Sequence, residues 1–199
     1  MKQLLLASRN PAKIELYKKI LKDLDLQILA LSDLNMNNEV DENGLTYEEN
    51  SAKKALEFFK ISGLPTLADD SGIEIAALNN EPGVKTRRWP GYEATDQELI
   101  DLAINKIKNI PKGQRQARFR VVISLCLGEN QIYSSQFDLP GEITDFVSNK
   151  LVAGFPFRSV FWVPQFGKHH SDLNQEQLEQ IDHRRKAMEK IREIIIQKI

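Results

Sequence analysis

The sequence predicts an α/β protein built on a mixed sheet. A strand–helix–strand unit opens the chain, over "QLLLAS", "NPAKIELYKKILKDL" and "LQILAL". A long hairpin fills its middle, over "QARFRVVISLCL" and "NQIYSSQFDL". Together these require both kinds of strand pairing in one α/β architecture. The 199 residues fit one domain, or two small lobes, with bulk enough for a real core.

Taken in order, the first helix has Asn10 as a suitable N-cap and Pro11 at the position where a missing N–H is harmless. Ile14, Tyr17, Leu21 and Leu24 recur on one face, so the helix is expected to run to residue 24. Residues 32–45 are polar and turn-rich. In "TYEENSAKKALEFFK", Thr46 and Glu49 form a capping box, and Ala52, Ala55, Leu56 and Phe59 form the apolar stripe. "LPTLAD" leads into "SGIEIAAL", and "NNEPG" is a turn. Residues 95–109 read as a helix capped by Thr95. The hairpin turns at Gly128, Glu129 and Asn130, and "VFWV" reads as one more strand. A last helix is expected from about Asn174 to the end, with Asn174 and Gln177 as a weaker box. There is no internal repeat, low-complexity segment or linker.

Composition removes some function classes. The chain is 41% hydrophobic and 28% charged, as ordinary globular proteins are. A net charge of -1 gives no general attraction to nucleic acid or to membranes. No segment approaches the roughly 20 apolar residues of a membrane-spanning helix, and the run in "MKQLLLAS" is too short for a secretory signal. The single cysteine, Cys126 in "VVISLCL", has no partner for an internal disulfide and reads as a buried strand residue. The expected compartment is a reducing cytoplasm.

Three stretches carry possible chemistry. "ASRNPAK" puts Ser8, Asn10 and Lys13 where a strand hands over to a helix, whose free N–H groups favour anions. An ordinary capped helix with a solvated lysine explains the same residues. "LADDSGIEI" sets Asp69 beside Asp70. Crowded carboxylates share a proton or bind a cation, with Mg²⁺ the natural choice and Glu42 able to join. The alternative is a strand end that points one aspartate to water and caps a turn with the other. Ser71 and Gly72 would let the backbone approach a ligand. "IDHRRKAM" places His183 and Arg184 about 100° apart on a helix, although such a run is more often a solvated face. "KHH", residues 168–170, is poorly spaced for one ion and is rejected as a metal site.

Together an anion cradle, a divalent-cation site and distal cations equip a chain for a nucleoside triphosphate. The chain resembles the inosine triphosphate pyrophosphatase family over nearly its whole length. The blocks "ASRNPAK", "ENGLTYEENSAKKA", "GLPTLADDSGIEIAALNNEPGVKTRRWPG", "ATDQELI", "GQRQARF" and "IDHRRKAM" follow in the family's order. The resemblance implies an elongated mixed sheet flanked by helices, with two lobes around a substrate cleft in a single domain over residues 1–199. It also implies a homodimer and Mg²⁺-dependent hydrolysis of dITP, ITP and XTP to the monophosphate and pyrophosphate. By position, Ser8, Asn10 and Lys13 would hold the triphosphate. Glu42 and Asp70 would bind Mg²⁺, Asp70 would also prepare the attacking water, and Lys54 and Asp69 would sit beside them. Ser71 would lie near the substrate, and His183 and Arg184 would reach the nucleotide from the far side.

Three departures fall in the base-recognition half. Where the family carries Phe-Gly-Tyr-Asp-Pro, this chain reads Gly154, Phe155, Pro156, Phe157, Arg158, Ser159, so an aspartate has become Arg158. An expected lysine is Leu178, and an expected serine is Asp182. Phe155 remains able to stack on the base. Arg158 either supplies donors to O6 and N7 of a 6-oxopurine, as arginine does to guanine, or points to solvent. A pyrophosphatase for another modified nucleotide and a non-catalytic nucleotide-binding regulator are the competing readings. Nucleic-acid binding has no support.

Overall fold

The computed structural model describes residues 2–199. In chain order the elements are β1 (Lys2–Leu6), α1 (Pro11–Ile20), β2 (Leu26–Ala30), α2 (Tyr47–Ser62) and β3 (Thr66–Ile75). They continue as β4 (Glu81–Pro82), α3 (Asp96–Ile107), β5 (Gln116–Gly128), β6 (Gln131–Ile143) and β7 (Phe161–Val163). The chain ends with β8 (Lys168–His169), α4 (Gln175–Ile181) and α5 (His183–Lys198). Eight strands form one sheet in the order β2-β1-β3-β5-β6-β7-β8, with β4 beside β3. The pairs β1/β2 and β1/β3 are parallel, while β3/β4, β6/β7 and β7/β8 are antiparallel. The sheet is therefore mixed, and helices flank it.

The chain forms two compact units. The first comprises the residues up to Asp70, Val121–Phe137 and Arg184–Ile199; the second comprises Ser71–Arg120 and Asp138–His183. Strands β3, β5 and β6 each contribute to both. In the first unit, strand alternation divides the sheet's side chains cleanly. Leu4, Leu6 and Leu67 pack with Tyr17 and Ile20 of α1 and with Met188 and Ile191 of α5. Leu5, Ala7, Ala68 and Cys126 pack with Ala55 and Phe58 of α2. Cys126 is buried in its strand, as its sequence context implied.

In the second unit, Ile73 and Ile75 of β3 meet Leu99, Ala103 and Ile107 of α3, together with Ile143, Phe161 and Ile181. Strand β6 runs four residues past the expected Leu139, through Gly141. A Cβ on Gly141 would lie 2.5 Å from the Phe161 ring and from the Trp162 carbonyl oxygen, so only glycine lets β7 lie this close. Buried Glu74 accepts from Arg118 Nε at 2.7 Å, and Arg120 forms a two-point pair with Asp138 at 2.8 and 2.7 Å.

Three expectations need correction. Helix α1 stops at Ile20 rather than at residue 24. Its ten residues rise about 15 Å, and the five-residue β1 advances about 16 Å, so α1 already returns the chain to the level where Leu26 pairs with Lys2. Leu21 and Leu24 still join the same core from the turn that follows. The last helix is two helices, broken at Asp182, which is extended at φ -62° and ψ 90°. Ile181 is held in the second unit's core and Ala187 in the first unit's, so the break is where the chain passes between them. Finally, Asp69 and Asp70 do not close a strand: β3 runs unbroken through both.

Candidate active site

Successive side chains of a strand point to opposite faces, and this resolves the crowding of the aspartate pair. Asp69 follows Leu67 onto the face of α1 and α5. Lys13 Nζ approaches it to 3.0 Å, and Arg184 Nε lies 3.7 Å from its Oδ2. Asp70 follows Ala68 onto the face of α2, where Asn50 Nδ2 donates to its Oδ2 at 3.1 Å. Both aspartates are buried, at 3% and 7% exposure, which removes the reading in which one points to water and the other caps a turn.

Charge decides how each behaves. Burial raises the Asp69 carboxyl, but Lys13, Arg184 and Lys54 together outweigh it and hold the group below its usual range. Burial also pushes Asp70 up, to about 6; Lys54, Lys13 and the Asn50 amide oppose this, and Glu42 adds to it. The Glu42 effect means that the two carboxylates share a field. Lys54 Nζ donates to Glu42 Oε1 at 2.7 Å. Burial favours the neutral amine of Lys54, yet Glu42, Asp69 and Asp70 outweigh it, so the ammonium is retained.

The start of α1 is built as its sequence implied. Asn10 Oδ1 accepts from the backbone N–H of Ala12 at 3.0 Å and of Lys13 at 3.4 Å, and Ser8 Oγ accepts from Asn10 N at 3.3 Å. Asn10 is thus a cap, while Lys13 is no solvated lysine. The loop carrying Glu42 is tied to α2 by Glu49 Oε2, which accepts from Leu45 N at 2.7 Å and Thr46 N at 3.1 Å.

The first unit therefore assembles Ser8, Asn10, Lys13, Glu42, Lys54, Asp69, Asp70 and Arg184. The second holds Ser71, Phe155, Arg158 and His183. His183 stacks on Phe119, with ring centroids 5.9 Å apart, so this histidine and the neighbouring Arg184 serve different units. Both are buried rather than on a solvated face. Arg158 lies over the Phe155 ring, 4.0 Å from its centroid, so it does not extend alone into solvent and Phe155 does not present two open faces. Leu178 packs against the second unit's core, which makes the lost lysine a core substitution. Of the "KHH" histidines, His169 Nε2 meets Thr144 Oγ1 at 2.8 Å, whereas His170 lies edge-on to Phe119.

Two residues escape the sequence reading. Asn50 touches Asp70 directly, and its only signal is an amide four residues before Lys54 on one helix face. Asp96 accepts from Gly154 N at 2.8 Å and pairs with Arg87, tethering the segment that leads into Phe155. As the first residue of a capped helix, Asp96 gave no separate signal. No helix of the described residues is long and apolar enough to cross a membrane.

The sequence model of the Ham1 family matches residues 4–194. A dITP/XTP pyrophosphatase from Clostridium perfringens is 33% identical over 199 residues, covering 97% of both chains. One from Shigella flexneri is 35% identical over 190 residues, covering 94% of this chain and 95% of its own. A solved structure of a HAM1 protein from Coxiella burnetii aligns at a TM-score of 0.88 and 32% identity, covering 99% of this chain and 100% of that one.

Proposed function

Because the chain belongs to the Ham1 family, as the ordered sequence blocks implied, we propose that it hydrolyses 6-oxopurine nucleoside triphosphates (dITP, ITP and XTP) to the monophosphate and pyrophosphate with Mg²⁺. The observation that carries this is the placing of Glu42, Lys54, Asp69 and Asp70 in one electrostatic field, with Lys13 and Arg184 on Asp69. The relatives' names support the substrate class.

The donor set fits a hard cation. Two carboxylates, one of them buried and raised to about 6, match the one or two that Mg²⁺ takes alongside water and phosphate oxygens. Glu42 and Asp70 would hold it. Bound there, the ion neutralises charge on the phosphates.

The chain's own groups do the rest. Lys13, beside the capped start of α1 that carries Ser8 and Asn10, faces the phosphates with its ammonium. Asp70 orients a water and accepts its proton as the oxygen bonds to phosphorus and the α–β anhydride bond breaks. Pyrophosphate leaves with its charge balanced by Lys13 and Lys54. Asp69 holds Lys13 and Arg184 in place. Ser71, Phe155 and His183 contact the nucleoside, and the Arg158 guanidinium, stacked on Phe155, turns its donors to the base.

We propose that the protein is cytoplasmic and forms a homodimer; sedimentation at the monomer mass would overturn the latter. The decisive experiment is a panel of nucleoside triphosphates with Mg²⁺, scoring pyrophosphate against inorganic phosphate. Pyrophosphate from ITP or XTP, abolished in Asp70→Asn, is expected. Nucleotide binding without any pyrophosphate would leave the chain a regulator.

A further inference from the structure

Asn50 is 1% exposed and lies inside the first turns of α2, where an amide is a poor helix former and a buried one needs every bond it can make. It makes two bonds of opposite sense. Its Oδ1 accepts from the backbone N–H of Gly44 at 2.8 Å, and its Nδ2 donates to Asp70 Oδ2 at 3.1 Å. The first bond dictates the second. A backbone N–H needs an acceptor, so Oδ1 must face Gly44, and Nδ2 is then turned to the carboxylate.

Gly44 is two residues from Glu42. A Cβ there would stand 2.6 Å from Asn50 Oδ1 and 2.9 Å from Glu49 Cβ, so the loop passes this close only as glycine. One turn along the same face, Lys54 takes Glu42 at 2.7 Å. Helix α2 thus sets Asp70 through Asn50 and Glu42 through Lys54, and the Asn50 amide joins the loop to the strand.

We propose that Asn50 is a positioning residue that fixes the Glu42 loop and the Asp70 carboxylate in one geometry for a divalent cation, with Gly44 as its required backbone partner. The inference rests on the cation reading above. Removing a group that orients a ligating carboxylate typically lowers metal affinity by about 10–100-fold.

The test uses the full chain with Mn²⁺ alone, followed by paramagnetic resonance, beside the Mg²⁺ dependence of ITP hydrolysis and amide exchange at Gly44. Asn50→Ala is expected to weaken Mn²⁺ binding at least about 10-fold and to expose the Gly44 amide to exchange. Gly44→Ala, on a loop whose next residue, Leu45, is exposed and can shift away from α2, is expected to weaken Mn²⁺ binding comparably in a protein that still folds, which covers the case that Asn50→Ala does not. The two losses should not add, because both break one link. Wild-type Mn²⁺ affinity in Gly44→Ala and in folded Asn50→Ala overturns the inference and leaves the enzymatic reading standing. A wild-type protein that binds no Mn²⁺ and releases no pyrophosphate overturns both.

Discussion

A carboxyl that titrates near 6 instead of 3.8 is ionised at pH 8 only against about 3 kcal/mol of folding free energy. Between those two values the folded chain keeps a proton that the unfolded chain has released. Metal-free stability contributed by Asp70 is therefore full below 3.8 and is lost as pH rises through about 6. Asparagine cannot ionise, so metal-free Asp70→Asn should melt several degrees above the wild type at pH 8, with the gap closing towards pH 4, while ITP turnover falls by about 100-fold or more. A lower melting point at pH 8 would contradict the burial argument. Asp69 has the opposite sign. Its carboxyl is held below the usual range, so its contribution is present above that range and is lost only as pH falls through the lowered value. Asp69→Asn strands the buried ends of Lys13 and Arg184 and should destabilise the protein by about 3–5 kcal/mol in urea unfolding at pH 7. Adjacent Asp→Asn changes thus move stability in opposite directions, which a simple loss of surface charge would not do.

At the scale of elements, close approach of β6 and β7 depends on Gly141. Gly141→Ala pushes a methyl to 2.5 Å from the Phe161 ring and the Trp162 carbonyl, and should lower stability by about 3 kcal/mol. Gly113→Ala, where a Cβ meets nothing within 4 Å, is the matched control and should stay within about 0.5 kcal/mol in the same urea titration. Elements announced by local chemistry were legible. The boxes at Thr46/Glu49 and Asn174/Gln177 and the cap at Thr95 form as read, because capping involves only residues three apart. Boundaries set at a distance were not. The end of α1 is fixed by the length of β1, and "EQIDHRRKAM" contains no Gly or Pro to announce the break at Asp182. The site divides likewise: Lys13, Glu42, Lys54, Asp69 and Asp70 were readable as charged residues in recognisable blocks. Asn50 is neutral and helical, and only its two hydrogen bonds reveal its place.

At the scale of the whole molecule, charge chemistry and base contacts are assigned to different units, and β3 changes unit between Asp70 and Ser71. The carboxylates and cations assigned to the phosphates belong to the first unit, whereas Phe155, Arg158 and His183 belong to the second. Selectivity and cation dependence should therefore vary independently. Arg158 tests this, because its guanidinium is held 4.0 Å over Phe155 and offers planar donors that match O6 and N7 of a 6-oxopurine but not the 6-amino group of adenine. A bidentate contact of this type contributes about 1–3 kcal/mol of discrimination. Arg158→Ala should therefore reduce the ratio of kcat/KM for ITP over ATP by about 10-fold or more, and leave the half-saturating Mg²⁺ concentration within about two-fold, since no metal-holding residue is touched. An unchanged ratio would remove Arg158 from base recognition. A changed Mg²⁺ dependence would show that the two functions are not separable in this fold.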